Sequence, residues 1–238
     1  MNRIASIAAI AATSGLATGQ VINEFQPNPT GTDPSQVAVE IRGVAGASFS
    51  GVLYSVDTDF ENGPIDRESA VSGTFDANGL LVVMIDDLEN PSFDFILASN
   101  AGLLGQDSNA VDYGTVFDAI GIIDAAGDAG FSMAASLGGT LIAFTGDEPG
   151  LVFRDGLDSS IIYAINDPAG SVAFDQFGNE YDLATDFLTI DGVATDISGF
   201  VSTGLLTEGL PNLTTIPAPT GLAVLGLSGL VAGRRRRG

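Results

Sequence analysis

The chain has no cysteine, no histidine, no tryptophan and no lysine. Without cysteine there is no disulfide framework, thiolate nucleophile or Cys-ligated zinc site. Without histidine the Ser-His-Asp triad, His-ligated zinc and the commonest general base near neutral pH are excluded. Acid–base chemistry is left to carboxylates and tyrosine. Bases are scarce too: eight arginines stand against thirty acids. Arg3 opens the chain and four arginines close it, so residues 20–215 keep Arg42, Arg67 and Arg154 against all thirty acids, a net charge of −27. Such a surface repels nucleic acid and anionic lipid headgroups and attracts divalent cations or basic partners. Disorder, a common outcome for acidic chains, is excluded by the 45% hydrophobic content and the 14 phenylalanines, which fall in short regular runs. Roughly 195 residues suffice for one sizeable core without disulfide staples.

The two ends read as addresses. Residues 1–19 carry Arg3, an apolar run over 4–12, and small residues at Ala17 and Gly19. This is the pattern of a secretory signal peptide, with cleavage expected between Gly19 and Gln20. At the other end Ile216 is followed by Pro217, Ala218 and Pro219, an apolar run over 220–233, and Arg234, Arg235, Arg236 and Arg237. An apolar helix of about 14 residues rises about 21 Å, against a hydrocarbon core about 30 Å thick. The basic end is expected to stay on the cytoplasmic side. This order of proline motif, short hydrophobic helix and arginines resembles the PEP-CTERM sorting signal of Gram-negative bacteria, with Ala218 where that family usually has glutamate. The resemblance implies an exosortase-type sorting protease as partner, a transient inner-membrane association through the tail, and delivery to the cell envelope, outer surface or extracellular matrix. A retained tail anchor is the alternative.

Between the ends the pattern is one of strands. Val37, Val39 and Ile41 alternate with Gln36, Glu40 and Arg42, which predicts a half-buried strand with the polar residues facing solvent. Short apolar runs recur at 49–56, 74–75, 80–85, 93–98, 115–120, 140–145, 151–154, 160–165, 171–174 and 186–190. Many are spaced about 8 to 12 residues apart and separated by Gly, Asn, Asp or Pro, as in an all-β sandwich. Asn78-Gly79 and Asp191-Gly192 predict type I′ hairpin turns. Residues 124–137 are expected to form a loop or a single short helix, because Gly127 and Gly130 each weaken a helix by about 1 kcal/mol relative to Ala.

Ile22-Asn23-Glu24-Phe25, Val39-Glu40-Ile41 and Phe49-Ser50-Gly51-Val52-Leu53, in that order, resemble the lamin-tail domain family. Two later segments fit the same layout: the glycine-led strand 78–85 and Val116-Phe117-Asp118-Ala119-Ile120. The resemblance spans residues 20–123 and implies an immunoglobulin-like β-sandwich. The expected organisation is a signal peptide at 1–19, a sandwich over 20–212 and a sorting tail at 213–238. Residues 146–212 add either extra strands to the sandwich or a small second unit.

Candidate chemistry is confined to carboxylates. Asp57, Asp59 and Glu61 at alternate positions, closed by Glu68, offer the oxygen-rich loop that Ca²⁺ needs for six to eight ligands. Against an EF-hand stand Pro64, the missing glycine at position six and the absence of flanking helices. A second group, Asp124, Asp128, Asp147, Glu148 and Asp155, could supply the carboxylate pair of a glycosidase. Glu24 and Glu40 are expected to be structural hydrogen-bonding residues. The expectation is an exported, non-enzymatic β-sandwich in adhesion or matrix structure, with Ca²⁺ as the candidate cofactor and extracellular polysaccharide or surface proteins as candidate partners. The alternative is a carboxylate-dependent hydrolase acting on extracellular polysaccharide.

Overall fold

The computed structural model describes residues 19–216 apart from 30, 33, 60, 62, 89–91, 100–102, 109–111, 126, 144–148, 166–171 and 201–203. The strands are β1 (Val21–Phe25), β2 (Gln36–Arg42), β3 (Ser48–Asp57), β4 (Ile65–Thr74), β5 (Leu80–Asp86), β6 (Phe93–Ser99) and β7 (Val116–Ile123). They continue with β8 (Thr140–Ala143), β9 (Leu151–Arg154), β10 (Ile162–Ile165), β11 (Val172–Asp175), β12 (Glu180–Asp182), β13 (Phe187–Leu188) and β14 (Thr214–Thr215). One sheet has the order β12-β11-β10-β9-β1-β2-β5 and the other β4-β3-β6-β7-β8, with β13-β14 as a separate ribbon. Pairing is antiparallel except between β7 and β8. The expected all-β sandwich is therefore present, and residues 151–182 extend its N-terminal sheet beside β1.

Alternation along the strands divides the interior into three layers. Val37, Val39 and Ile41 of β2 meet Phe93, Phe95 and Leu97 of β6 between the sheets, as period-two side-chain placement dictates. The opposite face of the seven-stranded sheet is also apolar. There Leu151, Phe153, Tyr163 and Ile165 pack against Leu183, Phe187, Ile197 and Leu213 of the C-terminal segment. On the far side of the five-stranded sheet, Val52, Tyr54, Ile96 and Ala98 are covered by Tyr113, Leu104 and Ala134. The central strands of both sheets are thus buried on two faces. This explains why β3, β6, β9 and β10 read as nearly continuous apolar runs.

The register of β1 shifts between Ile22 and Glu24, a bulge that sends Ile22 and Phe25 into the central core while Asn23 and Glu24 face the C-terminal segment. A buried ion pair ties the sheets together. The Arg154 guanidinium donates two bonds to the Asp118 carboxylate, at 2.6 and 2.8 Å, and its Nε donates to the Ile22 carbonyl at 2.7 Å. Arg154 lies on β9 and Asp118 on β7, so this contact bridges the two sheets.

Several expectations need correction. Gly79 and Gly192 have φ of +79° and +81°, but neither Asn78 nor Asp191 has positive φ, so neither turn is type I′. In both, the glycine N–H bonds back three residues, to Asp76 and Thr189, and the glycine takes the left-handed position that follows a tight turn. The turn at Asn78-Gly79 does not close a hairpin: it carries the chain from β4 in one sheet to β5 in the other. Only the last residue of β4 was visible as an apolar run, because Asp66, Arg67, Glu68 and Ser69 mask the strand. Glu40 lies on the polar side of β2, but that side is not solvated there: residues 204–213 cover it and Glu40 is fully buried. Residues 124–137 contain two short 3-10 turns, Asp128–Gly130 and Ala134–Leu137.

Candidate functional site

The predicted calcium loop is divided by the structure. Asp57 ends β3, is 9% exposed, and its Oδ1 accepts the Asp59 N–H at 2.8 Å. Asp59 and Glu61 are exposed on the turn. Glu68 lies back along β4 opposite Tyr54, where its carboxylate accepts the N–H groups of Leu104 and Gly105 at 2.8 and 3.0 Å. It anchors the loop that covers the five-stranded sheet rather than closing a ring around Asp57.

Three acids from distant segments converge instead. One carboxylate oxygen each from Asp59, Asp124 and Asp128 lies within 4.8 Å of the others. Asp59 comes from the turn after β3, while Asp124 and Asp128 come from the chain after β7. Ser92 stands between the latter two: its Oγ hydrogen-bonds Asp124 and lies 2.9 Å from Asp128, while it accepts the Asp124 N–H at 3.0 Å. The Thr58 N–H donates to the Ser92 carbonyl at 3.1 Å, holding the turn against this group. Burial and the charges of Asp57, Asp128 and Asp124 together raise the pKa of Asp59. A divalent cation would relieve that repulsion, and these oxygens are hard ligands of the type Ca²⁺ takes, though three carboxylates supply fewer than its usual six to eight oxygens. Asp59, Asp124 and Asp128 are therefore the residues that could hold one. Of the second group of acids seen in the sequence, Asp155 is elsewhere, accepting from the Leu157 and Asp158 N–H groups and from the Tyr163 hydroxyl at 2.9 Å. Asp147 and Glu148 lie outside the described residues.

The second concentration of charge is buried. Glu24 and Glu40 are cross-strand neighbours on β1 and β2, both fully buried. The backbone N–H of Leu206 and the N–H and hydroxyl of Thr207 reach Glu24. Glu40 accepts from Asn23 Nδ2 at 2.6 Å and from the Gly209 N–H at 2.7 Å. Asn212 completes the network, donating to the carbonyls of Asn23 and Arg154 and accepting from Asn23 Nδ2 at 3.0 Å. Burial raises the pKa of Glu24 to about 7, helped by the charge of Glu40 and opposed by its hydrogen bonds. Glu40 is raised as well, chiefly by burial. Both were expected to be structural, and they join the C-terminal segment to the sheet. Thr207 and Asn212, some 180 residues away along the chain, carried no local signal of this role.

Among the described residues no helix is long and apolar enough to cross a membrane. The sorting-signal residues Pro217, Ala218, Pro219, Arg234, Arg235, Arg236 and Arg237 lie outside the described residues, as does the apolar part of the signal peptide. No family model, curated protein or solved structure matches the chain.

Proposed function

We propose that this chain is an exported, non-enzymatic β-sandwich protein, sorted to the cell envelope or extracellular matrix, where it serves in adhesion or matrix structure. The observation that carries the non-enzymatic reading is the position of Glu24. It is the carboxylate raised to about 7, the range a general acid requires, yet it is fully buried and engaged by Leu206 and Thr207. Its chemistry is spent on joining two segments of the fold. Delivery rests on the leader at residues 1–19 and the tripartite tail at 216–238, which resembles the PEP-CTERM signal and would be read by an exosortase-type protease. The acidic exterior suits a protein that works among divalent cations and basic surfaces outside the cell.

The strand order supports an immunoglobulin-like, lamin-tail-type arrangement over the first seven strands. β1-β2-β5 form one sheet and β4-β3-β6-β7 the other, the division of an immunoglobulin-type sandwich whose fourth strand has joined the second sheet. Strands β9–β12 then extend the first sheet beyond β1.

The test is made on protein recovered from the producing cells. Intact mass is expected to begin near Gln20 and to lack Arg234–Arg237, with the protein accessible to protease added outside the cell. Four retained arginines would favour an uncleaved anchor. Reducing-sugar release from the producer's own polysaccharide, abolished by replacing one carboxylate, would replace the structural role with a hydrolytic one.

A further inference from the structure

A cavity of about 220 Å³ lies at the end of β2, walled by Arg42, Leu80, Leu157, Ile190 and Pro211, with Asn23, Asn78 and Asn212 also on its lining. Its walls come from β2, the start of β5, the turn after β9, the hairpin turn after β13 and the C-terminal segment. Gly156 makes the last approach possible, since a Cβ there would meet the Asn212 carbonyl at 2.0 Å. This volume is below the about 300 Å³ at which pockets for drug-sized molecules begin. It suits a ligand of about one ring.

Arg42 is the unusual wall. In residues 20–215 three arginines stand against thirty acids, and the other two have carboxylate partners, Asp66 for Arg67 and Asp118 for Arg154. Among the described residues the half-buried Arg42 guanidinium makes no ion pair or hydrogen bond. The acids that attract it, Asp118, Glu40 and Asp155, are each held by other donors: Arg154 for the first, Asn23 and Gly209 for the second, and Leu157, Asp158 and Tyr163 for the third. Burial and the nearby charge of Arg154 both disfavour its cationic form. A second unpartnered group, on the lining residue Asn23, is buried just behind the wall. Asn23 is 2% exposed, its amide nitrogen is used by Glu40 and Asn212, and among the described residues its Oδ1 accepts nothing. A half-buried guanidinium without a partner on the cavity lining, with an unpaired amide oxygen just behind it, marks this as a place that can take something polar.

We infer that this cavity is a binding site for a small monocarboxylate, its carboxylate on the Arg42 guanidinium and an apolar face of the ligand against Leu80, Leu157, Ile190 and Pro211. The guanidinium fork matches a carboxylate bidentately. A single guanidinium neutralises one negative charge, whereas a phosphate dianion would leave a surplus charge in the field of thirty acids. Leu157 and Ile190, 61% and 39% exposed, form an apolar rim that a ligand face would cover. A hydroxyl on the ligand could donate to Asn23 Oδ1 after a small opening of the wall.

The purified chain is titrated by calorimetry and by NMR of the arginine Nε–H signals with benzoate and methyl glucosiduronate, the methyl glycoside with its carboxylate free, which separate aromatic from sugar acids. Benzamide, methyl glucoside and inorganic phosphate are the controls. At least one carboxylate is expected to bind saturably and shift the Arg42 signal, with the matching neutral compound weaker by at least about tenfold. Arg42→Gln is expected to weaken binding by a similar factor. Ile190→Trp, on the exposed rim, is expected to block the cavity with Arg42 intact, and carries the test alone if Arg42→Gln does not fold. No binding of either acid up to about 20 mM would overturn the proposal. So would retained affinity in the variants, or phosphate binding as tightly as the carboxylates.

Discussion

Glu24 Oε2 and Thr207 Oγ1 lie 2.7 Å apart, and the same Thr207 oxygen lies 2.7 Å from Asn212 Oδ1. The Asn212 amide is oriented by its two donated bonds to the carbonyls of Asn23 and Arg154, so its Oδ1 can only accept. One hydroxyl hydrogen cannot serve both neighbours of Thr207. A protonated Glu24 resolves this, donating to Thr207, which donates to Asn212. The geometry thus agrees with the upward shift of Glu24 that burial causes.

The sign of the pH effect follows. Glu24 moves from 4.5 to about 7 on folding, so the native state holds a proton that the unfolded chain releases between those values. Stability is expected to be highest below pH 4.5 for this group and to fall as pH rises to about 7, by roughly 3 kcal/mol. Glu40, shifted in the same direction, adds to the slope. Glu24→Gln mimics the protonated form and should flatten the profile and stabilise the protein at pH 8. Urea unfolding at pH 5 and pH 8 measures both, and an unchanged slope in the variant would refute the assignment.

Arg154 and Asp118 should be unequal to their neighbours in a mutational scan. Truncating Arg154 to Met leaves the Asp118 carboxylate, its side chain 8% exposed, with the Ile22 N–H but no countercharge, at a cost of about 3–5 kcal/mol. The double variant Arg154→Met with Asp118→Leu removes the stranded charge and should recover much of that loss. Denaturant midpoints of the four forms give the coupling directly, and additive losses would show that the pair acts as two separate residues.

Calcium is expected to raise the melting temperature beyond what NaCl of equal ionic strength achieves, by binding the native cluster of Asp59, Asp124 and Asp128. A hundredfold excess over Kd would stabilise by about 2.7 kcal/mol. Asp59→Asn with Asp124→Asn should remove the calcium-specific part, whereas Glu68→Gln should leave it, since Glu68 serves the loop at Leu104 and Gly105. Equal melting in both salts leaves diffuse screening alone.

Tyr113 is 2% exposed, and among the described residues its hydroxyl has no hydrogen-bond partner. Tyr113→Phe keeps the ring against Tyr54 at 5.1 Å and removes the stranded O–H. Thermal melting is expected to show unchanged or higher stability, by up to about 1 kcal/mol. A large loss would mean that the hydroxyl is paired.

Much of the strand framework was legible in the chain itself, because side-chain alternation is local. Val37, Val39 and Ile41 announce β2, and the runs at Phe93 and Leu151 announce β6 and β9, whatever the rest of the chain does. Composition alone also excluded thiol and histidine chemistry and set the acidic exterior. Alternation reports which residues share a side of a strand, not what covers that side. The alternation places Glu40 on the polar side of β2, and it is residues 204–213 folding across that side that bury it. β4 was hidden for a related reason: its strand character comes from pairing with β3, not from its own polar residues. The convergence of Asp59 with Asp124 and Asp128, and of Arg42 with Ile190 and Pro211, was likewise decided by tertiary structure. These partners are brought together by sheet order and by the return of the C-terminal segment, contacts that no short window of sequence contains.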